Sequence, residues 1–483
     1  METRFAIIGA GMAGLLSAIK LREAGFRDVT VYEKADRIGG TWRENTYPGI
    51  ACDVPSHLYS YSFAPNPDWS HRFSPGAEIH AYLEDVARSH DVMERIRFGD
   101  EVTRCEFDDR AWTIATTSGR RARADFVIAA TGVLHHPKSP AIEGLESFDG
   151  ACFHSARWDH GVELSGQRVG VVGTGSSGVQ IVSDVVDRVG SLALFQRTAQ
   201  WIMPQENPSY TEEEKRDFRL HPERMRELRD QMSRAFTDNF SNAVVDADSP
   251  QMAMVEELCR KNLETSVIDP VLREKLRPDY RAACKRLVIS PDFYRAIQQP
   301  NARLVTERIQ RVEPRGVRTG DGELHELDVL VLATGFRVDR FLRPMQVTGR
   351  GGLELDRVWS ERPAAYLSIS IPGFPNLFML NGPNGPVGNF SLIDVAELQL
   401  SYIQQLIDVA LAGERCRGIC ATEAAAQRFE LERTEAAKRT IWMSGCRSWY
   451  LDDRGIPAAW PWAFDRFREK MAAPDLADFE VIA

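Results

Sequence analysis

The chain has no excess of basic residues, no long apolar run and no paired cysteines. Lys and Arg number 59 against 69 Asp and Glu, for a formal net charge of −10. There is thus no cationic footprint for nucleic acid or an anionic membrane surface, and a small-molecule partner is expected. No stretch reaches the roughly 18 uninterrupted apolar residues that span a bilayer. Phe5 to Ile19 comes nearest, but Gly9, Gly11 and Gly14 break it and Glu2 stands where a signal peptide carries basic residues. The eight cysteines, at 52, 105, 152, 259, 284, 416, 420 and 446, form no CxxC pair and no ligand cluster. That scatter argues against structural zinc, and it fits a reducing cytosol better than a disulfide scaffold. A cytoplasmic protein without a metal site is expected.

What is present is a pair of glycine signatures on a chain of 483 residues, long enough for two or three domains. RFAII reads as a buried parallel strand, followed by GAGMAG with Gly9, Gly11 and Gly14, an amphipathic helix and a second strand, VTVYE. Glycine there permits a tight turn, close approach of backbone to a pyrophosphate and close helix packing. Glu33 ends the second strand 24 residues after Gly9, where a carboxylate holds an adenosine ribose. The next stretch, GGTWRENTYPGIACD from Gly39 to Asp53, is too rich in glycine, proline and aromatics for a helix and predicts an irregular loop over a ligand. VTRCEF and WTIATT predict a β-meander, and ADFVIAATG closes the unit with a small-residue turn common in flavoproteins of the disulfide-reductase type. FAD is therefore assigned to this first site.

The second signature, QRVGVVGTGSSGVQIVSDVV, repeats the pattern with Gly173, Gly175 and Gly178. Arg197 stands 24 residues after Gly173, at the position equivalent to Glu33. An arginine there accommodates a 2′-phosphate that a carboxylate would repel, so NADPH is assigned to the second site. Residues 206–282 turn to charged helical text and predict an insertion able to cap a substrate pocket. ACKRLVIS then sets Lys285 and Arg286 among apolar neighbours, and a turn at Gly382, Pro383 and Asn384 precedes a long helix. The expected fold is α/β, with two Rossmann-like dinucleotide-binding domains of the flavoprotein disulfide-reductase-like type. Residues 1–145 and 341–483 form the FAD domain, and 146–340 the NADPH domain with the insertion.

NADPH feeding a bound flavin leaves few reaction classes. A disulfide reductase needs a cysteine pair against the flavin, and Cys52 has no neighbour; an electron-transfer reductase would want an iron–sulfur cluster, and the cysteines supply none. Reaction with dioxygen remains. Between the two signatures lies Phe148-x-Gly150-x-x-x-His154-x-x-x-Trp158-Asp159, which resembles the fingerprint of type I Baeyer–Villiger monooxygenases. Flavin-containing N- and S-oxygenases share its first part but typically differ at Trp158 and Asp159. Gly39-Gly40-x-Trp42-x-x-x-x-Tyr47-Pro48-Gly49-x-x-x-Asp53 matches that family's second signature at every defined position.

The resemblance implies roles for individual residues. Arg286 would stabilise a flavin peroxide and the oxyanion that follows, and Asp53 would pair with it. Lys285 and Arg197 would bind the 2′-phosphate, and Trp449, in a mobile loop, would close over NADP+. Gly40, Trp42 and Asn384 would line the flavin. The implied reaction is oxygen insertion beside a ketone carbonyl, through a C4a-peroxyflavin, giving an ester or lactone. The nearest alternative is N- or S-oxygenation; a flavin redox sensor or NADPH oxidase is the reading from another class. His154 is read as part of a hinge, Gly150 giving it freedom and Trp158 anchoring it.

Overall fold

Continuous runs of β-branched and aromatic residues cannot turn a polar face to water, so strands such as RFAII and RVGVV belong inside parallel sheets covered on both sides. The computed structural model describes residues 3–108, 110–388, 390–412 and 418–482, and among these it forms two such sheets. The first runs in the order Leu377–Met379, Phe126–Ala129, Arg4–Ile8, Asp28–Tyr32, Ile96–Arg97, all parallel. Helix Met12–Glu23 covers it with Leu15, Leu16, Ile19 and Leu21. The meander Val102–Phe107, Trp112–Thr116, Arg121–Ala124 is antiparallel and is extended by Gln346–Thr348. The chain after residue 340 thus contributes strands to both sheets of the first unit.

The second parallel sheet has the order Ala302–Val305, Ser191–Phe195, Arg168–Val172, Val329–Leu332, Ala151–His154. Its last member corrects an expectation. Ala151–His154 lies within the stretch read as a hinge, yet it is an edge strand in register with Val329–Leu332. A Cβ on Gly150 would lie 2.3 Å from the Asp328 carbonyl oxygen, so that glycine serves close approach of two backbones and not freedom of movement. Both nitrogens of His154 are used: Nδ1 accepts from Ala156 N–H at 3.1 Å and Nε2 lies 3.1 Å from the Gly335 carbonyl. Trp158 packs edge-on against Phe153.

Between strands Ser191–Phe195 and Ala302–Val305 of this sheet the chain forms helices Glu212–Leu220, Pro222–Phe236, Pro250–Ser266 and Pro270–Lys275. Thr211 and Glu214 form a capping box on the first, and proline opens the other three, where its missing N–H costs nothing. A π-helical turn, Thr237–Ser241, follows the second. These helices dock on the first unit. Arg229 pairs with Asp394 in the first turn of helix Leu392–Leu411, and His57 is inserted edge-on between Tyr210 and Phe218. Among the described residues, no helix is long and apolar enough to cross a membrane.

The His57 imidazole is 2% exposed and neither ring nitrogen has a hydrogen-bond partner. Burial lowers its pKa from the usual 6.5 to about 4. The unfolded chain therefore binds the extra proton between those values, and stability present above about pH 6.5 is lost as pH falls towards 4, by roughly 3 kcal/mol in the limit. Thermal melts of His57→Phe, which keeps the ring and removes the titration, should show a smaller loss of melting temperature between pH 7.5 and 5 than the wild type.

Candidate active site between two nucleotide cradles

Each glycine turn is shaped by contacts that a side chain would prevent. A Cβ on Gly9 would lie 2.6 Å from the Ala130 carbonyl oxygen, and one on Gly14 would lie 1.8 Å from that of Gly9. The second unit repeats this with Gly173 against Ala333 at 2.4 Å and Gly178 against Gly173 at 2.1 Å. The middle glycines differ. Gly175 would meet nothing within 4 Å, and Gly11 would meet only Gly40, so each opens a cleft at the start of its helix. Neither helix N-terminus is capped by a side chain or carries an acid in its first turn. The free N–H groups and the dipole suit a pyrophosphate.

Around the first cradle, the Glu33 carboxylate accepts from Ala10 N–H at 2.8 Å and pairs with Arg43 at 2.8 Å. Arg43 was not singled out by sequence; it lies within the 39–53 loop as one of the unspecified positions of the signature. Trp42 is buried beside Tyr59, donating to its hydroxyl at 3.3 Å. Asn384 is buried in a left-handed conformation, φ 68, and among the described residues its Nδ2 has no partner. A buried amide donor without an acceptor is costly, and a flavin carbonyl or ring nitrogen would satisfy it. The residues present fit FAD.

In the second unit, Thr174 donates to the Thr198 carbonyl at 2.8 Å, holding the turn that carries Arg197 against the glycine loop. Tyr280 donates to the Ala199 carbonyl at 2.8 Å, and Lys285 lies over its ring at 4.3 Å. Burial lowers the Lys285 pKa, Asp279 opposes that, and Arg197 lowers it further. Two neighbouring cations, one of them exposed and neither in an ion pair among the described residues, make a site for a dianionic phosphate. The residues fit NADPH.

The 39–53 loop joins the two cradles. Tyr47 donates to Gln180 at 2.9 Å, Gln180 donates to the Ala51 carbonyl at 3.0 Å, and Gly49 packs where a Cβ would lie 2.6 Å from the Gln180 carbonyl oxygen. At its end Asp53 receives Arg286 Nη2 at 2.5 Å, while Nη1 donates to the Gly388 carbonyl at 2.5 Å. Burial pulls the guanidinium down, but the Asp53 carboxylate and the neighbouring Tyr450 hydroxyl outweigh that and raise it further above its ordinary value. Arg286 is therefore a permanent cation. With Asp53 and Gly388 it lines a small pocket whose other walls are Val54, Phe236, Phe240, Leu287, Ile289 and Phe390. Phe236 immediately precedes the π-helical turn and Phe240 lies within it; no sequence signal distinguished them from ordinary helix residues. Cys52, next to Asp53, is buried and its thiol is pushed up by burial, which removes it as a nucleophile.

Trp449 is 41% exposed on the C-terminal loop and is in contact with Tyr450, ring centroids 4.2 Å apart. The base of that loop holds the second correction. Cys446 forms a disulfide with Cys284, 162 residues away. No spacing rule reaches across such a separation; only the fold brings the two sulfurs together. The cysteine pattern accordingly loses its force as an argument for a reducing compartment.

Two glycine cradles, one fitted to FAD and one to NADPH, on sheets built as described define a two-dinucleotide flavoprotein. Residues 6–221 match the family described as pyridine nucleotide-disulphide oxidoreductase. The chain is 48% identical to an uncharacterized monooxygenase of Mycobacterium tuberculosis, covering 97% of this chain and 94% of that one. It is 39% identical to a Baeyer–Villiger monooxygenase of Streptomyces coelicolor, covering 100% and 93%. The structure of cyclohexanone monooxygenase from Rhodococcus sp. Phi1 bound to NADP+ superposes with a TM-score of 0.88 at 29% identity, covering both chains in full. The chain belongs to the Baeyer–Villiger flavoprotein monooxygenase family.

Two measurements check the site. Arg197→Ala and Lys285→Ala should each lower kcat/KM for NADPH by about tenfold to a hundredfold, with little effect on NADH, as expected for one charge-assisted phosphate contact. Cys446→Ser opens a covalent ring that chain entropy values at about 4 to 5 kcal/mol. It should lower the melting temperature, and non-reducing peptide mapping of the wild type should recover residues 284 and 446 in one cross-linked species.

Proposed function

We propose that this protein is an FAD-dependent, NADPH-consuming monooxygenase that converts a ketone to an ester or lactone. Residues 1–145 and 341–483 are assigned to FAD, and 146–340, with the insertion at about 206–282, to NADPH. FAD held by the first cradle would supply the dioxygen chemistry and NADPH the electrons, with one oxygen atom entering the product beside the carbonyl and the other leaving as water.

The observation that carries the reading is the placement of Arg286, fixed by Asp53 and Gly388 in the wall of an apolar pocket beside both cradles. Oxygen insertion beside a carbonyl passes through negative charge on oxygen, and a preorganised cation that cannot lose its proton stabilises that charge without quenching a nucleophile by protonation. Asp53 holds the guanidinium plane. Val54, Phe236, Phe240, Leu287, Ile289 and Phe390 exclude water and favour a substrate without charge. Lys285 and Arg197 select NADPH, and Glu33, Gly40, Trp42 and Asn384 hold the flavin side.

Turnover of a ketone panel under ¹⁸O-labelled dioxygen tests this directly: one labelled oxygen in an ester or lactone, with one NADPH consumed, is the expected result. Turnover across a broad panel that releases only hydrogen peroxide would replace the reading with an oxidase, and labelled amine or sulfide oxides alone would replace it with a heteroatom oxygenase. Arg286→Ala removes about 3 to 4 kcal/mol of charge stabilisation, so ester formation should fall by two to three decades while NADPH still reduces the flavin.

A further inference from the structure

We infer that Tyr450 is a positioning residue for Arg286, linking the loop that carries Trp449 to the cation of the active site. This rests on the monooxygenase reading above for the meaning of Arg286, and on geometry for the link itself. A guanidinium has five N–H donors in a rigid fork. Two of its partners here, Asp53 and the Gly388 carbonyl, belong to segments packed around the flavin cradle. The Tyr450 hydroxyl, supplied by the C-terminal loop, lies beside the same fork, against Gly388.

The three meet at one point. Gly388 has φ +86, and a Cβ built on it would lie 2.0 Å from the Tyr450 hydroxyl and 2.9 Å from Arg286 Nη1. Glycine is thus required there for the hydroxyl, the carbonyl and the guanidinium to converge. Tyr450 is itself held firmly: it is 4% exposed, its ring lies 5.2 Å from that of Trp442, and its carbonyl accepts from Ala458 N–H at 2.7 Å. Cys446, four residues before it, is bonded to Cys284, two residues before Arg286. The loop therefore meets the Arg286 segment twice, through a covalent bond at its base and through the buried tyrosine hydroxyl that lies beside the guanidinium.

Trp449, one residue from Tyr450, is the loop's exposed ring. If it moves onto a bound nucleotide, its neighbour must follow or resist. Burial raises the Tyr450 pKa more than Arg286 lowers it, so the hydroxyl stays neutral beside the guanidinium and adds no negative charge that would compete with the one Arg286 stabilises. The arrangement makes the orientation of Arg286 depend on the state of the nucleotide-facing loop.

Tyr450→Phe removes the hydroxyl and keeps the ring, so the fold is retained. Hydrogen–deuterium exchange of residues 284–290 is compared between wild type and variant, with and without NADP+. The expected result is faster exchange in the variant and loss of the change that NADP+ produces in the wild type, at an unaltered melting temperature. In turnover, ester formed per NADPH consumed should fall by about tenfold, the loss of one polar contact to a charged group, with KM for NADPH unchanged. Wild-type exchange in the variant, in both states, overturns the inference. A wild type that makes no ester from any ketone would defeat the functional reading, while altered exchange in Tyr450→Phe would still support the positioning role.

Discussion

The ion pair between Asp53 and Arg286 is the constraint on which the site depends. It joins residues 233 positions apart in the chain, one at the end of the loop that leaves the flavin cradle and the other next to the short strand Val288–Ile289 of the second unit. Two charges brought out of water are favourable only when their geometry is good and their remaining donors are satisfied. Here the carbonyl of Gly388 takes a further donor of the fork, and the hydroxyl of Tyr450 lies beside it. The pair also needs its two units in register. Tyr47, Gly49 and Ala51 on Gln180 provide that, so one loop sets both the spacing of the cradles and the position of the cation.

Much of the fold was legible because its requirements are local. A glycine whose Cβ would strike a carbonyl two ångströms away leaves a glycine in the sequence, and buried parallel strands leave uninterrupted apolar runs. The meander was legible from alternation, and the insertion from its change to charged helical text. Ala151–His154 was not, because four residues are too few to show a period and their pairing partner lies about 180 residues later. What a fingerprint sequence does was therefore easier to misjudge than that it matters: its histidine spends both nitrogens on backbone, and its glycine makes room for a neighbouring strand.

The candidate site divides along the same line. Glu33 and Arg197 could be compared directly, since both fall at the same offset from a glycine turn and differ in sign. Asp53 and Arg286 drew attention by motif, and the structure brings them into contact. Arg43, Phe236, Phe240 and Tyr450 were silent, each being an ordinary residue in its local context. The two phenylalanines line the pocket where helix Pro222–Phe236 runs into a π-helical turn, and such turns have no reliable sequence signature while recurring at functional sites. The cysteines misled for a related reason: chemistry between residues 162 apart has no spacing to read.

That disulfide has a topological consequence. It closes residues 284 to 446 into a covalent ring that contains two strands of the NADPH-side sheet, Ala302–Val305 and Val329–Leu332, and one of the FAD-side sheet, Leu377–Met379. The two units are thus threaded on one closed circuit as well as on the linear chain. A single cut anywhere between residues 285 and 445 leaves both fragments attached under non-reducing conditions, and breathing of one unit against the other is limited by a ring that both units share.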